Sequence, residues 1–110
     1  MIRAEFVIRD SKFCAFSIQG HAGFAPAPHD LVCAAVSSMS LLVMNTLKEV
    51  FAADLAITEN EAKPFLEMNV LSCPPESERS VDGVLRGFYL QLCDLEKQYP
   101  KNLSVKEVLK

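Results

Sequence analysis

The run from Asp30 to Phe51 constrains the fold of this chain more than any other segment. Ala34, Ala35, Val36, Met39, Leu42, Val43, Leu47 and Val50 spread round the helical wheel, and no charge interrupts them between Asp30 and Lys48. A helix that is apolar nearly all round has to be buried by other elements. It is therefore expected as the buried central helix, with Asp30 as its N-cap, the carboxylate accepting free N–H groups of the first turn.

The flanking sequence supplies strands to bury it. Ile2, Ala4, Phe6 and Ile8 alternate with Arg3, Glu5, Val7 and Arg9, which is the period of a strand with one polar face. Arg9-Asp10-Ser11-Lys12 reads as a turn. Phe13 to Gly20 follows as a second strand, with Cys14, Phe16 and Ile18 expected on one face. Beyond the helix, residues 55–58 and 65–71 are expected strands, joined by Glu59-Asn60-Glu61-Ala62-Lys63-Pro64. Cys73-Pro74-Pro75 stops the second of them, because proline cannot extend a sheet.

A second helix is expected from Ser77 or Ser80 to Gln98. Val81, Val84, Leu85, Phe88, Leu92 and Leu95 form its apolar stripe. Gly83 and Gly87 lower helix propensity one turn apart, so close packing on the sheet or on another subunit is expected there. Leu103, Val105 and Val108 suggest a short last strand. The order β-β-α-β-β-α-β implies an α+β fold: two helices on a mostly antiparallel sheet, in one domain of 110 residues.

Composition excludes some functions. Eleven Lys and Arg against fourteen Asp and Glu give a net charge of −3, with no basic stripe or aromatic platform for nucleic acid. A negative chain can still bind a cationic partner through a local acidic patch, and Glu49, Asp54, Glu59, Glu61 and Glu67 are candidates. No apolar run is expected to reach membrane-spanning length, and the N-terminus lacks an export signal, so a cytoplasmic protein without membrane contact is expected. Cys14, Cys33, Cys73 and Cys93 are widely spaced with no Cys-x-x-Cys pair, which favours thiols over disulfides and argues against zinc.

One stretch carries chemistry: Gly20-His21-Ala22-Gly23-Phe24-Ala25-Pro26-Ala27-Pro28-His29-Asp30-Leu31-Val32-Cys33-Ala34-Ala35-Val36-Ser37. A strand end, a Pro-rich loop and a helix start put an imidazole beside the sheet and a thiol in the first helical turn. The partial positive charge of a helix N-terminus favours the thiolate, the nucleophilic form. The competing reading of Cys33 is a small buried hydrophobe in an alanine-rich face. His29 is a rival base to His21. Asp30 reads equally as a cap, and Ser37 as a hydroxyl bonded back to the helix or as polar support for the thiol.

Gly20-His21-Ala22 together with Asp30-Leu31-Val32-Cys33-Ala34-Ala35-Val36-Ser37 resembles the Prp family, the ribosomal-processing cysteine proteases of bacteria. The resemblance implies a homodimeric α+β fold and a cytoplasmic protease that needs no metal or organic cofactor. Its implied partner is the precursor of a large-subunit ribosomal protein, L twenty-seven, which loses a basic N-terminal extension by a cut after an aromatic residue. Carried onto this chain, His21 is the general base and Cys33 the nucleophile. Asp30 and Ser37 support them, and Gly20, Ala22, Gly23 and Phe24 belong to the substrate-binding loop. The family has a glycine shortly before the aspartate in a mobile loop, where this chain has Pro26-Ala27-Pro28-His29, and two prolines stiffen a backbone. A non-catalytic ribosome-associated protein of the same fold is the alternative reading. A thiol-dependent redox or acyl-transfer protein is the third.

Overall fold

A computed structural model of the chain describes residues 1–20, 29–60 and 65–110, and of His29 and Asp30 it describes the backbone. Strand β1 (Ile2–Arg9) and strand β2 (Lys12–Gln19) form an antiparallel hairpin. Asp10 and Ser11 both take positive φ, 53° and 64°. That is the backbone of a two-residue turn whose twist suits the flanking strands.

Helix α1 (His29–Asn45) follows, then a single wide turn over Thr46–Val50. The Ala53 N–H donates to the Leu47 carbonyl, and Ala52 at φ 54° reverses the chain. Strand β3 (Asp54–Asn60) and strand β4 (Phe65–Ser72) come next. Helix α2 (Glu78–Gln98) and strand β5 (Leu103–Leu109) complete the chain.

The sheet order is β3-β4-β2-β1-β5. Every pair is antiparallel except β1 with β5, which run parallel in register from Ile2↔Leu103 to Ile8↔Leu109. The architecture is the expected α+β layer. The last strand is no short addition: seven residues of β5 pair along nearly all of β1.

Five expectations are corrected. Cys14 does not alternate with Phe16 and Ile18. The register slips between Val7 and Ile8, so Ile8 faces Phe13 and Val7 faces Ala15. Cys14 is the extra residue of a bulge, and its thiol donates to the Val7 carbonyl at 3.6 Å. Next, α1 opens at His29, so Asp30 lies inside the first turn and is not its N-cap.

The remaining corrections concern the helix faces. α1 is not buried all round: Val32, Val36, Val43 and Met44 enter the core, followed by Leu47 in the wide turn, while Leu31 and Leu42 are 60% and 65% exposed. The segment Leu31–Val50, with mean hydropathy 1.5, does reach membrane-spanning length by length and composition alone. Gly83 and Gly87 do not pack on the sheet; a Cβ at either would meet nothing within 4 Å.

The core lies between sheet and helices. Phe6 sits at its centre, with Phe13, Phe16, Phe88 and Tyr89 at centroid distances of 5.4–6.1 Å, mostly edge to face. α2 lies against β2 and β5. Its beginning is held at the hairpin by Lys12–Glu78 (3.0 Å) and by the Phe13 N–H donating to Asp82 Oδ1 (2.8 Å). Its end is held at the β5 edge of the sheet, where Glu96 accepts the Val105 N–H. α1 lies beside α2, and Leu55, Leu66, Met68 and Val70 of β3 and β4 join the same core.

Candidate active site

The strand registers define one end of the molecule. Gln19 pairs with both Arg3 and Phe65, and Phe65 with Asn60. Gly20 follows at that end with φ +84°, where a side chain is strained. A Cβ there would press into the Met1 carbonyl oxygen. The Met1–Ile2 peptide has little room to yield, because Ile2 is fully buried and its N–H donates to the Asn102 carbonyl. Sequence reasoning placed Gly20 in a substrate loop and missed this contact, which no local pattern signals.

α1 begins at the same end. Its last residues lead through the turn at 46–53 to Asp54, which pairs with Ser72 at the hairpin end. The thiol of Cys33 therefore belongs to the Gly20 end. Cys33 is the fifth residue of α1, one past the first turn. The sequence reading set it inside that turn. Side chains on a helix tilt toward its N-terminus, so the thiol still projects back along the first turn, where the helix field acts.

Helix phase sets its exposure. Val32 and Val36 are buried and lock the rotation of α1, leaving Cys33 half-buried against the core and Ser37, one turn on, half-buried beside it. His21, Ala22, Gly23 and Phe24 lie outside the described residues, as do the prolines at 26 and 28 and the side chains of His29 and Asp30. The structure thus brings Gly20, Cys33 and Ser37 to one end.

All four cysteines are thiols. Cys14 and Cys73 line a cleft at the opposite, hairpin end, together with Lys12, Glu78 and Asp82. Burial, aided by Glu78, pushes the Cys73 thiol above its ordinary range, which disfavours a nucleophilic role. Cys93 sits beside Tyr89, whose phenol is raised well above its usual range by hydrogen bonds to Glu107 and then Cys93. No cluster of three metal-ligating side chains occurs among the described residues.

Comparison with known proteins gives this arrangement a context. Residues 1–104 match the family model of the cysteine protease Prp. The ribosomal processing cysteine protease Prp of Bacillus subtilis is 30% identical over 98 residues, 87% of each chain. Among solved structures, SMU.848 from Streptococcus mutans superposes with a TM-score of 0.90 at 23% identity, covering 100% of this chain and 99% of its own. The essential ribosomal processing protease Prp from S. aureus, in complex with a substrate peptide, superposes with a TM-score of 0.85 at 17% identity, covering 98% and 100%. A strand-end glycine, a helix carrying a half-buried thiol, this fold and a match over nearly the whole length agree: the chain belongs to the cysteine protease Prp family.

Proposed function

We propose that this chain is the endopeptidase that removes the basic N-terminal extension of the precursor of ribosomal protein L twenty-seven, in the cytoplasm, with Cys33 as nucleophile and His21 as general base. The observation that carries the reading is the half-buried Cys33 at the start of α1, at the sheet end where Gly20 leads directly to His21. The B. subtilis relative named for ribosomal processing and the S. aureus relative that holds a substrate peptide support it.

The chemistry follows from those positions. His21 takes the Cys33 proton, and the thiolate attacks the scissile carbonyl to give a tetrahedral oxyanion. A helix opening at His29 leaves its first N–H groups, up to Leu31, without intrahelical partners. These are the donors for the oxyanion. The imidazolium then protonates the leaving amine as the C–N bond breaks, and water hydrolyses the thioester, returning the proton through His21. Asp30 and Ser37 flank the dyad and position it. Glu49, Asp54 and Glu59, all exposed, attract the basic extension.

The active form is a homodimer in this reading. Leu31, Leu41, Leu42 and Val50 on the α1 side are 56–67% exposed. An apolar groove of about 330 Å³ runs between the helices beside Gly87. A second copy covers such a face best, because single-copy proteins rarely leave it open.

Cleavage of a peptide spanning the processing site, scored by mass spectrometry, tests the proposal. A single cut after an aromatic residue is expected, lost in Cys33→Ala and in His21→Ala. Undiminished cleavage by either variant refutes the dyad.

A further inference from the structure

We propose that the open edge of β3 receives the substrate as a sixth strand, so that the residues before the cut pair with Leu55–Glu59 and run along it to Cys33. This rests on the protease reading above and adds where the peptide lies.

The two edges of the sheet differ. β5 is guarded: the Glu96 carboxylate of α2 takes the Val105 N–H at 2.9 Å, and Lys106 lies within the strand. β3 lies at the other edge and meets no further strand among the described residues. Natural edges are protected by charged side chains, lysine above all, by proline or by a bulge. Leu55-Ala56-Ile57-Thr58 carries none of these, and its one irregularity falls at its start, between Asp54 and Leu55. Ile57 is 45% exposed. Such an edge is a template for an extended peptide, whose main chain supplies the hydrogen bonds.

Direction and charge fix the occupant. β3 runs toward Asn60, which pairs with Phe65, which pairs with Gln19 beside Gly20. This is the end where α1 begins, and with α2 set against β2 and β5, α1 is the helix left to face the β3–β4 half of the sheet. A peptide delivered to the thiol along β3 therefore lies parallel to it on the side before the cut. The 7 residues of β3 span roughly 23 Å at about 3.3 Å each. Glu49 and Asp54 are exposed at the far end, where they would meet positive charges of the extension six or seven residues ahead of the cut. The chemistry of that occupant is a basic, extended peptide.

Two measurements with the same processing-site peptide test this. With Cys33→Ala and saturating uncut peptide, hydrogen exchange of alternate amides in Leu55–Glu59 should slow at least about fivefold, with β5 unchanged. With the native protein, a scan of backbone N-methyl groups through the peptide should lower kcat/KM about tenfold at every second residue before the cut. Residues after the cut should show no such alternation. Normal cleavage with unchanged β3 exchange and no alternation overturns strand addition and leaves the protease reading standing. Absence of both binding and cleavage overturns both.

Discussion

Gly20→Ala tests whether the strand end behind the proposed base is built as described. Two costs arise in the folded state. A non-glycine residue held at φ +84° pays about 1–2 kcal/mol for left-handed backbone. The new Cβ must also displace the Met1 carbonyl. That peptide is tethered through buried Ile2 and its bond to Asn102, and crowding of this kind costs about 1–2 kcal/mol. Against these, alanine restricts the unfolded chain and returns about 0.4–1 kcal/mol. The net expectation is a loss of about 2 kcal/mol, or roughly 10 °C in Tm for a domain of this size. Urea unfolding followed by circular dichroism measures it. Gly20→Asn is the control: asparagine tolerates positive φ but keeps the Cβ overlap, so it should fall between the two. Peptide cleavage should drop further than the folded fraction accounts for, because the displaced strand end carries His21. An alanine variant within about 0.3 kcal/mol of the native protein refutes the reasoning, since it would mean that neither the φ nor the contact exists in solution.

Two other perturbations follow from single groups. Asp82 accepts the Phe13 N–H through Oδ1 and Arg86 Nε through Oδ2, both at 2.8 Å. Asp82→Ala should cost about 1–2 kcal/mol, chiefly by stranding the part-buried Phe13 N–H, since the exposed Arg86 regains water, and Asp82→Asn less, because its amide oxygen can keep the Phe13 bond; equal losses in urea melts would show that the Phe13 bond carries no weight. Tyr89 is held protonated in the folded state by Glu107, so its contribution is complete below the ordinary tyrosine pKa near 10 and declines as pH rises beyond it. Urea midpoints from pH ~8 to ~11 should fall less steeply in Tyr89→Phe than in the native protein, and an unchanged alkaline slope would count against the Tyr89–Glu107 bond.

Local periodicity made most of the fold legible, and the misses share a cause. Ile2, Ala4 and Phe6 alternate because one face of β1 is buried, and that pattern sits in adjacent residues. The bulge at Cys14 depends on how β2 registers against Val7 and Ile8, which no run of β2 residues contains. The same holds for β5, whose seven residues are organised by a parallel partner about a hundred positions away in sequence. At the site, the Gly20–Met1 contact is likewise non-local. The motif from Gly20 to Ser37 identified the family, and its middle section lies outside the described residues.

The apolar surround of α1 misled for a different reason, and the reason bears on function. Apolar composition says that a face avoids water, not what covers it. Val32, Val36, Val43 and Leu47 are covered by this chain, while Leu31, Leu41 and Leu42 recur at helical spacing on the outer side. Cys33 lies on the seam between the two stripes, half in contact with the core. A fully inward position would have desolvated the thiol and raised its pKa, and a fully outward one would have left it without packing to fix its rotamer. The seam position supplies both access and support. It also sets the outer stripe proposed for the second copy beside the thiol on the same helix, so burial of that stripe on association would stiffen the element that carries the nucleophile.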